Sequence, residues 1–208
     1  MAERGRPRNF DRQQALRRAM ELFWRKGFDN TSMADLTEAM ALRPPSIYAA
    51  FGGKEALFNE ALDLYVSSQG RDIWDGIDTA PSARAAMEHL LKSTARSYSA
   101  GPGSRGCMVV LAAPQMEGAN AAVSERLKAE RAGNVAALER RLKRAVSEGE
   151  IAPQISCRAI ANYFATVQHG MSIQARDGAS RRALLAVADC AMAGWGSLVE
   201  SSPAAGRE

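Results

Sequence analysis

The chain has 208 residues, 46% apolar and 24% charged, a size for one large or two small globular domains. It lacks 18 consecutive apolar residues, so no membrane-spanning helix and no membrane partner are expected. Its start, MAERGRPRNFDRQQ, lacks the apolar segment of a secretory signal, which leaves the cytoplasm as the expected compartment. Cys107, Cys157 and Cys190 are odd in number and far apart, which excludes a complete disulfide framework and gives no zinc spacing.

The net charge of +4 is informative in its placement. Residues 1–54 hold ten Lys/Arg and six Asp/Glu; the remainder holds seventeen of each. The whole surplus lies in the first quarter, as in a polyanion-binding module joined to a neutral body. Arg4, Arg6 and Arg8, spaced by Gly5 and Pro7, form a basic arm over residues 1–8. Such a segment either follows DNA phosphates and a narrow minor groove or is a solubilising tail.

Asp11 is a good N-cap, and Leu16, Ala19, Met20 and Phe23 follow at helical spacing until Gly27, so a first helix is predicted over about 12–26. Thr31 or Ser32 caps a second, with Asp35 three residues after Ser32 in capping-box style. After Ala41-Leu42-Arg43, Pro44 and Pro45 open a third helix that Gly52-Gly53 ends. Ile47 and Phe51 must face inward, leaving Ser46, Ala49 and Ala50 outward with Tyr48 at the flank. At about eight residues, roughly 12 Å, this helix is a probe the width of a major groove rather than a pillar. Residues 32–51 thus read as a helix-turn-helix. A fourth helix runs from Lys54 to about Gln69, its free N–H groups suited to a phosphate.

Gly70 to Pro81 reads as a joint. Further helices are predicted over 82–98, 107–113, 120–148, 156–176 and 180–201. The last two are apolar over more than one stripe, which points to burial in a two-fold dimer as a four-helix bundle. The expected fold class is all-α with about nine helices.

The run ALRRAMELFWRKGFDNTSMADLTEAMALRPPSIYAAFGGKEALFNEAL resembles the N-terminal domain of the tetracycline-repressor (TetR/AcrR) regulators. The resemblance is carried by Phe23, Gly27, Phe28, Thr31, Ser32, Leu36, Ile47, Tyr48, Phe51, Lys54, Glu55 and Leu57. It covers residues 9–69 and implies a DNA-binding domain there, followed by a regulatory and dimerisation domain over 70–208. It further implies a homodimeric transcription regulator, usually a repressor, on a pseudo-palindromic double-stranded operator, released by a small-molecule effector. In bacteria such a protein sits in the cytoplasm, on the nucleoid when bound to DNA. Ala41 stands where the family usually has glycine, and Ala49 and Ala50 where many members have larger side chains.

The expected DNA contacts are Arg43 and Ser46 to bases, Pro45 to a base or sugar, and Tyr48, Lys54 and Thr31 or Ser32 to phosphates, with Arg4, Arg6 and Arg8 in the arm. Tyr48 reads alternatively as a half-buried core aromatic. Candidate pocket residues are Trp74, Tyr98, Met108, Met116, Phe164 and His169, with plain core as the alternative reading of each. Cys107, following Arg105-Gly106, is either a thiol sensor of oxidants or electrophiles or a small buried residue. Glycine-rich phosphate loops, nucleophile elbows and metal-ligand clusters are absent, so no enzyme, cofactor or metal is expected. The competing reading is a helical sensor acting through a protein partner.

Overall fold

The computed structural model describes residues 10–100, 106–112 and 120–200; Arg4, Arg6, Arg8 and Met116 lie outside them. The described residues form eleven helices and no strand. The first four are α1 (Arg12–Lys26), α2 (Met33–Met40), α3 (Pro44–Phe51) and α4 (Lys54–Ser67). The rest are α5 (Arg71–Trp74), α6 (Ala83–Tyr98), α7 (Met108–Leu111), α8 (Ala121–Ser147), α9 (Cys157–Arg176), α10 (Arg181–Ala193) and α11 (Trp195–Glu200). Eleven exceed the expected nine for two reasons. The joint after α4 contains the one-turn α5, and the final predicted helix divides at Gly194.

Local chemistry sets the boundaries of the first three helices. The Asp11 carboxylate accepts the Gln13 and Gln14 N–H groups and opens α1, and Gly27 closes it at φ 78°. Ser32 and Asp35 form a reciprocal capping box on α2. Ala41 then ends α2 in the left-handed region at φ 53°, the one non-glycine described residue with positive φ. Pro44 and Pro45 occupy the first turn of α3, where an absent N–H leaves no bond unmade.

Helix α1 buries Ala15, Ala19, Met20, Leu22 and Phe23 against α2 and α4. Phe58 meets both Phe23 and Phe28 edge-on, with ring centroids 5.1 Å apart in each pair. The larger body packs α6, α8, α9 and α10 on one another. One cation is buried within it. The Arg141 side chain has no solvent exposure and lies 3.6 Å from Glu150, whose other oxygen accepts the Ala83 N–H at the start of α6.

A short strap, residues 106–112, joins the body to α1. The Trp24 indole N–H donates to the Gly106 carbonyl (3.0 Å), and the Phe28 N–H donates to the Ala112 carbonyl (2.9 Å). A Cβ on Gly106 would press on the Ser172 carbonyl and come within 2.7 Å of Leu111 and 2.8 Å of the Ser172 hydroxyl, so glycine permits the approach.

The stretch Arg181–Glu200 holds α10 and α11. By length and composition it is apolar enough to cross a membrane, with mean hydropathy 1.3, although Arg182 and Asp189 interrupt any unbroken apolar run. Leu184, Ala188, Ala191 and Met192 are buried on α6 and α9, yet only 22% of the stretch is buried. Nearby on α9, Tyr163 and Ile173 are 39% and 50% exposed.

Candidate nucleic-acid interface and ligand cavity

The outer side of α3 is built from the inside. Ile47 and Phe51 are buried, which fixes the helix's rotation and turns Arg43, Pro45, Tyr48 and Ala49 to solvent. Ser46 is half-buried, and its N–H is bonded to the Arg43 carbonyl. Tyr48 is 53% exposed, which decides against the core-aromatic alternative. Its ring lies beside Gly53, 3.8 Å from where a Cβ there would stand, so Tyr48 flanks the start of α4.

Lys54, the first residue of α4, holds its ammonium 4.2 Å above the Phe28 ring. Burial there pulls its pKa down, while the carboxylates of Asp29 and Asp35 pull it back up. Ser32 is exposed at the N-cap of α2. Thr31 does not fit the expected phosphate contact. It is wholly buried, and its hydroxyl donates to the Gly27 carbonyl at 2.6 Å to lock the turn between α1 and α2. Ser32 shares its turn with a charged pair, Lys26 and Asp35, 2.6 Å apart. The Lys26 hydrogen bond, then those from Ser32, hold the Asp35 carboxyl far below the usual range.

One functional support escaped sequence reasoning. The Arg12 guanidinium donates to the Ala50 carbonyl (3.1 Å) and both Glu60 oxygens (2.8 Å), and stacks 4.4 Å from the Phe51 ring centroid. It ties the end of α3 to α1 and α4. An arginine at the first helical position carries no sequence signal that separates this from a solvated charge.

The second feature is a cavity of about 330 Å³ between α4, α5, α6, α8 and α9 and the strap. Two expected pocket residues, Trp74 and Tyr98, line it, as does Cys107. Three do not. Met108 is fully buried in the core, Phe164 packs against Tyr163 and Trp195, and His169 is half-buried near Arg131 of α8. Tyr65, Ile73, Ile77, Asn134 and Gln168 line the cavity and were missed, because they come from α4, the joint after it, α8 and α9 at ordinary core spacings.

Cys107 forms part of the cavity wall, with the hydroxyls of Tyr65 and Tyr98 on its sulfur. Burial first, then charge at Cys107 and hydrogen bonds to it, push both phenols well above their ordinary value of 10.0. Both therefore stay protonated donors at neutral pH. The Cys107 N–H donates to the Ser172 hydroxyl (2.7 Å). Among the described residues no group of three or more His, Cys, Asp or Glu side chains is arranged to hold a metal.

Comparison with known proteins bears on both features. Residues 15–61 match the profile described as bacterial regulatory proteins, tetR family, and residues 83–202 match the tetracyclin repressor-like C-terminal domain. The chain is 31% identical to the HTH-type transcriptional repressor ComR of Escherichia coli K12, covering 95% of this chain and 94% of ComR. It is 36% identical to the HTH-type transcriptional repressor BdcR of the same strain, covering 91% and 90%. A cysteine-substituted variant of the TetR family transcriptional regulator CifR, solved with 26-bp double-strand operator DNA, is similar in structure. It shows 44% identity and a TM-score of 0.88 over 92% of this chain and all of that one.

Proposed function

Because the chain belongs to the tetR family of bacterial regulatory proteins, we propose that it is a homodimeric transcriptional repressor. It binds a pseudo-palindromic double-stranded operator in the bacterial cytoplasm, associated there with the nucleoid, and a small-molecule effector releases it. The carrying observation is α3: an eight-residue helix whose inner side is buried and pinned by Arg12, while Arg43, Pro45 and Tyr48 stand in solvent. The operator-bound state of the CifR variant, 44% identical, supports the same use here.

Residues 9–69 act as the reading domain and 70–208 as the regulatory and dimerisation domain, with Arg4, Arg6 and Arg8 as an arm along the DNA. Arg43 and Ser46 approach bases, Pro45 packs on a base or sugar, and Tyr48, Lys54 and Ser32 meet phosphates. Ala49 offers only a methyl group, suited to thymine. The open sides of α9 and α10, with Tyr163 and Ile173, meet their two-fold mates as a four-helix bundle, setting the two α3 helices about one DNA turn apart. The cavity holds the effector. The test is salt-titrated binding to DNA beside the protein's own gene. Log affinity should fall steeply with log salt concentration. Salt-independent binding, or full affinity in both Tyr48→Ala and Lys54→Ala, rejects the reading.

A second reading is favoured by the two tyrosine hydroxyls on the Cys107 sulfur at the cavity wall. Cys107 is then itself the sensor. An oxidant such as hydrogen peroxide converts the thiol to a sulfenic acid with release of water, and the added oxygen displaces the tyrosines. Release of operator by peroxide in wild type but not in Cys107→Ser supports it; equal release in both sinks it.

A further inference from the structure

We propose that Trp24 is the joint through which the cavity sets the position of the reading domain, and that Arg176 holds this joint from α9. The inference rests on the repressor reading and names how its effector site is coupled to DNA. Contacts converge on Trp24 from three elements. Its indole N–H donates to the Gly106 carbonyl of the strap (3.0 Å). Its ring meets the Tyr65 ring of α4 edge-on, with centroids 4.9 Å apart. Its own carbonyl accepts from the Arg176 guanidinium (3.4 Å), which also donates to the Arg25 carbonyl at 2.6 Å.

Each of these partners leads to the cavity. Tyr65 lines it and holds its hydroxyl on Cys107; Gly106 immediately precedes Cys107. On α9, Gln168, Ser172 and Arg176 recur every four residues and so share one stripe. Gln168 lines the cavity and donates to the Thr94 hydroxyl (3.3 Å), Ser172 accepts the Cys107 N–H, and Arg176 grips the end of α1. Gly106 packs so closely on Ser172 that strap and helix move together. An occupant that displaces Tyr65, Cys107 or Gln168 therefore acts on Trp24. Beyond Trp24, Gly27 and Thr31 carry the displacement through a buried turn into α2 and α3. The forked guanidinium suits this role because it engages two exposed carbonyls at a helix C-terminus at once.

The test uses the full-length protein and the footprinted duplex beside its own gene, with Trp24→Phe, Arg176→Gln, Arg176→Lys and the Trp24→Phe/Arg176→Gln double variant. Trp24→Phe keeps an aromatic ring against Tyr65 but removes the indole N–H together with the five-membered ring that carries it. We expect Trp24→Phe and Arg176→Gln each to weaken operator binding about fivefold. Binding to a scrambled duplex of the same length stays unchanged, and Arg176→Lys recovers part of the loss. The double variant should lose clearly less than the product of the single losses, because both act at one joint. Unchanged operator affinity in both singles, or a double loss equal to the product, overturns the proposal. So does an equal fall on the scrambled duplex with a lowered thermal midpoint, which makes the residues merely structural. A wild-type protein that binds no duplex rejects the repressor reading itself, and this inference with it.

Discussion

The reading helix and the cavity are built on different principles. Around α3, most of the fixed side chains belong to one run from Lys26 to Lys54, and Arg12 and Glu60 brace it from α1 and α4. Around the cavity, Tyr65, Tyr98, Cys107, Asn134 and Gln168 come from five separate segments, and none identifies the others. The reading region is exposed and stiffened by caps; the cavity is half open and stiffened by packing. Two glycines mark how differently the molecule tolerates change. Gly106 joins the strap to α9 under steric pressure, whereas Gly133 on α8 has nothing within 4 Å of its would-be Cβ. Gly106→Ala should cost about 3 kcal/mol or more, because a positive φ and a backbone clash act together. Gly133→Ala should stabilise by about 0.5–1 kcal/mol through helix propensity alone. Chemical denaturation measures both; effects of equal sign would break the distinction between a packed joint and a free helix surface.

The next largest effect separates the regions by function. Tyr48→Ala removes a ring that is 53% exposed and beside the start of α4, so folding stability should change by less than about 0.5 kcal/mol. Operator affinity should fall about tenfold, the scale of losing a well-placed contact. Cys107→Ser should do the reverse, leaving affinity for DNA near wild type while altering the response to oxidant. A Tyr48→Ala protein that melts early but binds normally would place the tyrosine in the fold rather than the interface.

Ala41 sharpens the contrast within the reading region itself. It adopts φ 53°, ψ 41°, where a Cβ costs roughly 1–2 kcal/mol, and its N–H bonds back to the Thr37 and Glu38 carbonyls. Ala41→Gly relieves that strain but enlarges the unfolded ensemble, for a net gain of up to about 1 kcal/mol. Denaturant midpoints measure it, and a loss of stability would show the turn to be unstrained. The expectation that alanine here departs from an ordinary turn was legible from the resemblance alone; that the backbone keeps the left-handed geometry anyway was not.

Legibility in the sequence divides along the same line. Asp11, Ser32 with Asp35, Pro44-Pro45 and Gly52 act within a few residues, so the spans of α1, α2 and α3 were readable in full. Long-range partners were not. Thr31 looks like a cap in sequence, but its burial turns the hydroxyl to Gly27. Phe164 and Met108 look like pocket residues because apolar side chains at helical spacing do not reveal which side meets a void. Trp24 gave no sign of its role, since the Gly106 and Arg176 partners lie 82 and 152 positions away.

The smallest expected effect tests the packed region through protons. His169 is half-buried, its Nε2 has no hydrogen-bond partner, and burial, then the Arg131 guanidinium, hold it below the ordinary value of 6.5. The folded protein therefore keeps the ring neutral while the unfolded chain takes up a proton from about pH 6.5 downward. In that window the unfolded state binds more protons, so stability falls with falling pH. It is intact above the unfolded value and is lost as the pH drops through the lower folded one. The carboxylates held low by their partners, Asp35, Glu88 and Glu139, act at more acid pH, below about 4.5. Thermal midpoints compared at pH 7 and pH 5 should thus drop slightly more in wild type than in His169→Gln, whose side chain never charges. An equal drop in both would mean that the protonated ring finds a partner in the folded core, and that α8 and α9 are less tightly closed around it than the neutral packing implies.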